Sequence, residues 1–139
     1  MMLPSKPASD GFSLIELLVV ISIMAGVMAL VGPLTVRSVE SARAQTELVS
    51  IERWINGWGR KAFLSASVIS IKAKNSNLVA EREGQQVDSF DLSMWQPTQA
   101  LTLQFSASGL PSLSEVELVS GEITRDITIR GDLPRSSID

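Results

Sequence analysis

The chain has 139 residues, a formal net charge of −3, and neither cysteine nor histidine. Those absences exclude disulfides, thiolate chemistry and a Ser/His/Asp triad, and remove the commonest metal ligand and the usual general base near neutral pH. The charge gives no basic footprint for nucleic acid, and the length suits one small domain with an appendage.

Residues 1–11, "MMLPSKPASDG", are polar and hold two prolines, which disfavours a helix. Lys6 is the only cation there, and Asp10 cancels it. The next segment, 12–36, is apolar apart from Glu16 and a few small hydroxyl residues, with no basic residue between Phe12 and Leu34. At about 1.5 Å per residue, Leu17–Leu34 as a helix is roughly 27 Å long, close to the hydrocarbon thickness of a bilayer. Ala25, Gly26 and Ala29 superficially resemble a signal-peptide cleavage site. The apolar run continues through them, so a retained anchor is expected. The competing reading is a buried core helix, but a domain of about 100 residues has little room to surround one on all sides. Gly26 and Gly32 are compatible with a membrane helix. Pro33 brings no N–H, so a kink or local unwinding is expected at that point.

From Arg37 to about residue 66 charge mixes with apolar residues. Val39, Ala42, Leu48, Ile51, Ile55, Trp58 and Ala62 fall on one helical stripe, which Trp54 widens. Arg37, Glu40, Glu47 and Arg60 lie on the opposite face. This reads as an amphipathic continuation of the helix, with Gly57 and Gly59 as weak points near its end.

Residues 67–139 change to period two. Val68, Ile69 and Ile71 open a β-rich run, and Asn75–Asn77 is a turn signal. Leu101, Leu103 and Phe105 alternate onto one face before Gly109 and Pro111 break the pattern. "SEVELVSGEITRDITIRG" reads as two strands around Ser120-Gly121, with Val116/Leu118 and Ile127/Ile129 pointing inward. The final "DLPRSSID" reads as loose. The expected fold class is therefore α+β: a long N-terminal helix whose second half covers a face of a small antiparallel sheet.

Glu16 is the anomaly. An unpaired carboxylate in a membrane helix costs ~2.5–3.5 kcal/mol, and less near the interface. If the chain were cut between Gly11 and Phe12, Glu16 would lie one turn from a new α-amino group. The same amine on a neighbouring copy could then offset the charge and set axial register between packed helices. The plainer reading is a side chain that snorkels to the headgroups.

The stretch "GFSLIELLVV", Gly11–Val20, resembles the class III signal of type IV pilins and type II secretion pseudopilins. The resemblance implies cleavage after Gly11 by a prepilin peptidase, N-methylation of Phe12 by the same enzyme, an assembly role for Glu16, and a helix-kinking role for Pro33. It also implies a single-pass protein of the bacterial inner membrane, with its C-terminal domain in the periplasm and with other pseudopilins or pilins as partners. The leader is less basic than is usual in the family. The stretch from Leu101 to Arg135 is similar to the C-terminal region of H-type minor pseudopilins and FimT-like minor pilins, with Phe105–Gly109 and Ile127–Gly131 as the matching steps. I- or J-type pseudopilins and other minor pilins remain alternatives.

Other motifs are weak. Glu115 with Glu117, and Asp88 with Asp91, are carboxylate pairs that fit solvated surface charge better than calcium or acid–base sites. Trp54, Trp58 and Trp95 fit core or rim better than a binding platform. Arg125 and Arg130 lie beside Glu122, Asp126 and Asp132 and make no basic patch. No cofactor, metal or catalytic residue is expected. A structural subunit is therefore the leading expectation, ahead of a non-polymerising membrane-anchored binding module and, last, an anchored enzyme.

Overall fold

The structure is a computed structural model and describes residues 11–131. Lys6, Asp10 and the rest of the leader before Gly11, together with the terminal stretch 132–139, lie outside the described residues. The chain divides into two compact units between Glu40 and Ser41, and each is taken by itself.

One helix, α1 (Leu14–Ser65), runs through both units. In the first unit every described residue is exposed within the chain. The buried-core reading of the apolar segment therefore fails among the described residues, none of which covers it. The helix runs continuously through Pro33.

In the second unit the helix contributes Ile51, Ile55, Trp58 and Ala62 to the core, with Ala44, Leu48 and Trp54 packed against it. Val39 and Ala42, expected on the same stripe, are exposed. The stripe acquires a partner only where the sheet domain reaches the helix. Gly59 has a packing reason for being glycine: a Cβ there would lie 3.0 Å from the Phe105 ring. Gly109 faces it with φ of 79°, and a Cβ on Gly109 would sit 2.9 Å from the Gly59 carbonyl oxygen. The Phe105–Gly109 step thus closes onto the helix backbone.

Among the described residues seven strands follow: β1 (Ile69–Lys74), β2 (Asn77–Arg82), β3 (Gln85–Asp91), β4 (Gln96–Pro97), β5 (Thr102–Phe105), β6 (Glu115–Ser120) and β7 (Ile123–Thr128). They form two antiparallel sheets rather than one. The four-stranded sheet has the order β3-β2-β1-β5, and the three-stranded sheet has the order β4-β6-β7. The break after Phe105, where the sequence carries Gly109 and Pro111, separates them. Both sheets contribute to one core: Ile69, Ile71, Leu103 and Phe105 from the first, Val116, Leu118 and Ile127 from the second, with Ile129 just beyond β7. No charged or polar residue is buried among the described residues.

Turn chemistry sets the hairpin registers. Glu83 and Gly84 both have positive φ and join Arg82 to its partner Gln85, the backbone twist that suits a two-residue hairpin. Asn75 takes φ of 53° in the β1–β2 turn, and Asn77 already belongs to β2. The β6–β7 turn is Gly121-Glu122, one residue later than the sequence pattern implied, because Ser120 pairs with Ile123.

Two polar helix residues hold the sheets to the helix. Glu47, expected on the solvent face, accepts hydrogen bonds from the backbone N–H groups of Ser93 (2.7 Å) and Met94 (3.0 Å). Asn56 donates to the Thr128 carbonyl at 3.3 Å and accepts from the Arg130 N–H at 2.8 Å.

Candidate functional site

The candidate site is the N-terminal end of α1. Gly11, Phe12 and Ser13 have no regular secondary structure, and the helix begins at Leu14. The Gly11–Phe12 peptide bond thus lies just ahead of the helix. Phe12 is 86% exposed. A Cβ added at Gly11 would meet nothing within 4 Å, so no contact in this chain requires glycine there.

Ser13 starts the helix. Its Oγ accepts from the Glu16 N–H at 3.3 Å, and its carbonyl accepts from the Leu17 N–H at 3.2 Å. Ser13 is thus the N-cap and Glu16 the third helical residue, the spacing of a capping box. A carboxylate in the first turn also meets the positive end of the helix dipole, worth about 0.3–1 kcal/mol. The ~2.5–3.5 kcal/mol cost of a charge applies at the centre of a membrane helix and is smaller at its end, where the first turn places Glu16. The Ser-x-x-Glu signal was legible in the sequence but overshadowed there by the apolar run around it.

Further along, the hydroxyls that interrupt the apolar run satisfy themselves locally. Ser22 Oγ donates to the Leu18 carbonyl at 2.8 Å, and Thr35 Oγ1 donates to the Val31 carbonyl at 2.9 Å. Neither needs water, as a bilayer interior demands. Pro33 deprives the Ala29 carbonyl of its helical donor. The helix is long and apolar enough to cross a membrane, and its most apolar window is wholly unburied within the chain.

Residues 6–32 match the prokaryotic N-terminal methylation motif. The matched segment contains Gly11, Phe12, Glu16 and the apolar helix as far as Gly32. The chain therefore carries a class III prepilin-type signal of the kind found in type IV pilin-like proteins, and the motif marks a processing and assembly signal rather than a catalytic one. No curated protein and no solved structure matches the chain. The α+β arrangement of a long N-terminal apolar helix with small antiparallel sheets is pilin-like.

The remaining candidate residues take structural positions. Asp88 accepts a hydrogen bond from Trp54 Nε1 at 3.2 Å, while Asp91 is exposed. Glu117 accepts from Thr98 Oγ1 at 2.6 Å, with Glu115 exposed on the same strand face. Among the described residues, no three His, Cys, Asp or Glu side chains come together as a metal site. Trp95 is buried and donates to the Ala44 carbonyl at 2.8 Å. Trp54 meets Trp58 edge-on with ring centroids 5.8 Å apart, so the tryptophans belong to the core and its rim. Arg125 and Arg130 are exposed.

Proposed function

We propose that this protein is a minor pseudopilin, a structural subunit of a type II secretion pseudopilus that takes part in protein secretion. The observation that carries the reading is the methylation motif at an accessible Gly11–Phe12 bond, directly ahead of an apolar helix that nothing in the chain covers. On this reading residues 1–11 are a leader removed by prepilin peptidase, and Phe12 becomes the N-methylated terminus. Residues 12–36 anchor the chain in the inner membrane, 37–66 continue the helix, and 67–139 form the periplasmic domain. The glycine requirement at Gly11 then comes from the peptidase, since among the described residues nothing lies within 4 Å of a Cβ added there. Glu16 registers the subunit against the α-amino group of a neighbour, once extraction from lipid removes its hydration. Pro33 bends the helix within the assembly.

Intact-mass measurement of membrane-extracted protein tests the processing. A chain starting at Phe12 with one N-methyl group is expected, and Gly11→Val blocks it. A full-length mass in a host with active prepilin peptidase contradicts the reading. Glu16→Leu tests assembly: correct cleavage and stable insertion are expected, with poor crosslinking to the subunit below. Normal crosslinking would remove the registration role and leave Glu16 as a side chain that snorkels to the headgroups.

The Phe105–Gly109 and Ile127–Gly131 steps support the H-type assignment, and equally a FimT-like minor pilin serving pilus assembly or DNA uptake. Gene disruption separates the two. Loss of protein secretion with intact pili supports the pseudopilin, and the reverse supports the pilin.

A further inference from the structure

The last turns of α1 overhang the end of the four-stranded sheet and leave an open cavity of about 370 Å³ between them. Its floor is apolar, formed by Trp58 and Ile69. Arg82 lines it as well. It is the exposed last residue of β2, paired with buried Ile69 and following buried Leu78 and Ala80 on the same face. Alternation thus carries the apolar face out to the cavity rim, where the chain places a guanidinium.

β3 is irregular at the same place. Ala80 pairs with Asp88 and Glu81 with Gln86, which leaves Val87 without an opposite residue. Such a bulge re-aims a side chain, and Val87 lines the cavity. Lys61 completes the rim, its Nζ 3.8 Å from the centroid of the Trp58 ring. Among the described residues neither Lys61 nor Arg82 forms an ion pair with a carboxylate. The Trp58 indole N–H is buried without an acceptor. Among the described residues no carboxylate lines the cavity, although acids outnumber bases in the chain. The walls therefore present an apolar surface and cationic donors together, complementary to an apolar group bearing an anion. β3 is also the outer strand of its sheet, so its far edge offers unpaired backbone groups.

We propose that this cavity is a docking site for an extended segment of a partner protein. The segment's backbone pairs with the free edge of β3. A bulky apolar side chain enters over Trp58 and Val87, and a carboxylate two residues along, on the same face of the added strand, meets Lys61 and Arg82. Strand addition supplies affinity through the main chain, and the cavity supplies specificity through one side-chain position. The free edge is what selects a polypeptide over a small free acid, which would use the cations and leave β3 unpaired. The site lies wholly within the second unit and stands whether or not the chain enters a pseudopilus.

Full-length protein in phosphatidylcholine nanodiscs provides the test. The probe is a fluorescein-labelled eight-residue peptide of alternating Thr and Val with a central Phe-Thr-Asp step, followed by anisotropy against empty nanodiscs. Saturable binding is expected, weakened about ten-fold or more by Arg82→Gln, by Lys61→Gln, or by a Phe-Thr-Asn probe, since each removes one charge-assisted contact. Circular dichroism confirms that the variants are folded. In parallel, the ¹⁵N–H indole resonance of Trp58 is expected to shift on peptide addition, while that of Trp95 stays fixed. Absence of saturable binding, or equal binding by folded Arg82→Gln and Lys61→Gln, overturns the proposal. So does competition by 3-phenylpropionate at the affinity of the peptide, which would show that the cavity takes a small acid and that strand pairing adds nothing.

Discussion

The two halves of α1 are both rich in apolar residues, yet they meet different fates. Ile21 is 57% exposed and Ile55 is 0% exposed, on the same helix. Around Ile55 the pattern is interrupted by charge, and the apolar residues on one stripe find the strands. Around Ile21 the helix is apolar on all sides, and the chain offers nothing to cover it. A helix apolar all round must be buried by something, so for residues 12–36 the covering medium comes from outside: lipid first and, on the proposed function, other helices later. Apolar periodicity tells which surface must leave water; it does not tell what receives it.

The strongest way to break this comparison is to remove one half. A chain starting at Arg37 is expected to be soluble and folded without detergent, while the full chain requires detergent or lipid. Size-exclusion chromatography and circular dichroism of the two forms decide it. Aggregation of the shorter chain, with the full chain soluble alone, would mean that the apolar segment serves as core.

Single substitutions sharpen the contrast. Ile55→Ala is expected to lower the unfolding free energy by about 2–5 kcal/mol, the range for emptying a buried aliphatic site. Ile21→Ala is expected to change the stability of the sheet domain by less than about 0.5 kcal/mol, as for surface positions. Denaturant titration of the full chain, followed by tryptophan emission, compares them directly. All three tryptophans lie in the second unit.

A third difference is electrostatic. In the sheet domain Glu81 accepts hydrogen bonds from Lys72 Nζ at 2.7 Å and Lys74 Nζ at 2.6 Å. These bonds, Lys72 foremost, hold its carboxyl down at about 2, from an ordinary value of 4.5. The depressed value makes the folded state bind its proton later than the unfolded state does. This stabilisation is full above about pH 4.5 and is lost as pH falls toward about 2. Glu81→Gln is expected to flatten the stability curve in that window and to leave the neutral-pH fold intact, as read from melting temperatures between pH 2 and 6. An unchanged acid limb in the variant would show that solvent screening cancels the pair.

Much of the sheet domain was legible because period two is hard to satisfy by accident. Leu101, Leu103 and Phe105 are buried, as are Val116, Leu118, Ile127 and Ile129. Ile51, Ile55, Trp58 and Ala62 were legible at helical spacing for the same reason. β3 was not, because its exposed, polar sequence carries little apolar alternation, and β4 is too short to make a pattern. The division into two sheets depends on long-range pairing that a local pattern does not contain. Val39 and Ala42 were misplaced because a stripe continues past the point where its cover ends. Glu47 and Asn56 were missed because a polar residue on a helix looks the same whether it meets water or a backbone group 46 or 74 residues away. At the candidate site Gly11, Phe12 and Glu16 were legible as a motif. The roles assigned to them depend on a peptidase and on neighbouring subunits.

The end of the covered half of α1 supplies the smallest test. Ala66 takes φ of 47°, the left-handed region that costs an L-residue about 1–2 kcal/mol. It is held there because the Ser67 N–H donates to the Ala62 carbonyl and the Ala66 N–H to the Phe63 carbonyl, both at 3.2 Å. This is the paired arrangement that closes a helix, usually with glycine at the position of Ala66. Glycine would remove the steric cost and add some unfolded-state entropy, about 0.4–1 kcal/mol the other way. Ala66→Gly is therefore expected to stabilise the sheet domain by about 0.5–1 kcal/mol, a rise of a few degrees in melting temperature. Glycine introduced instead at Ala29, in the uncovered half, would leave that melting temperature unchanged. It acts on a segment that contributes nothing to the core of the second unit. If both substitutions moved the melting temperature alike, the two halves would be folding as one cooperative body. The contrast between covered and uncovered helix would then fail where it is easiest to measure.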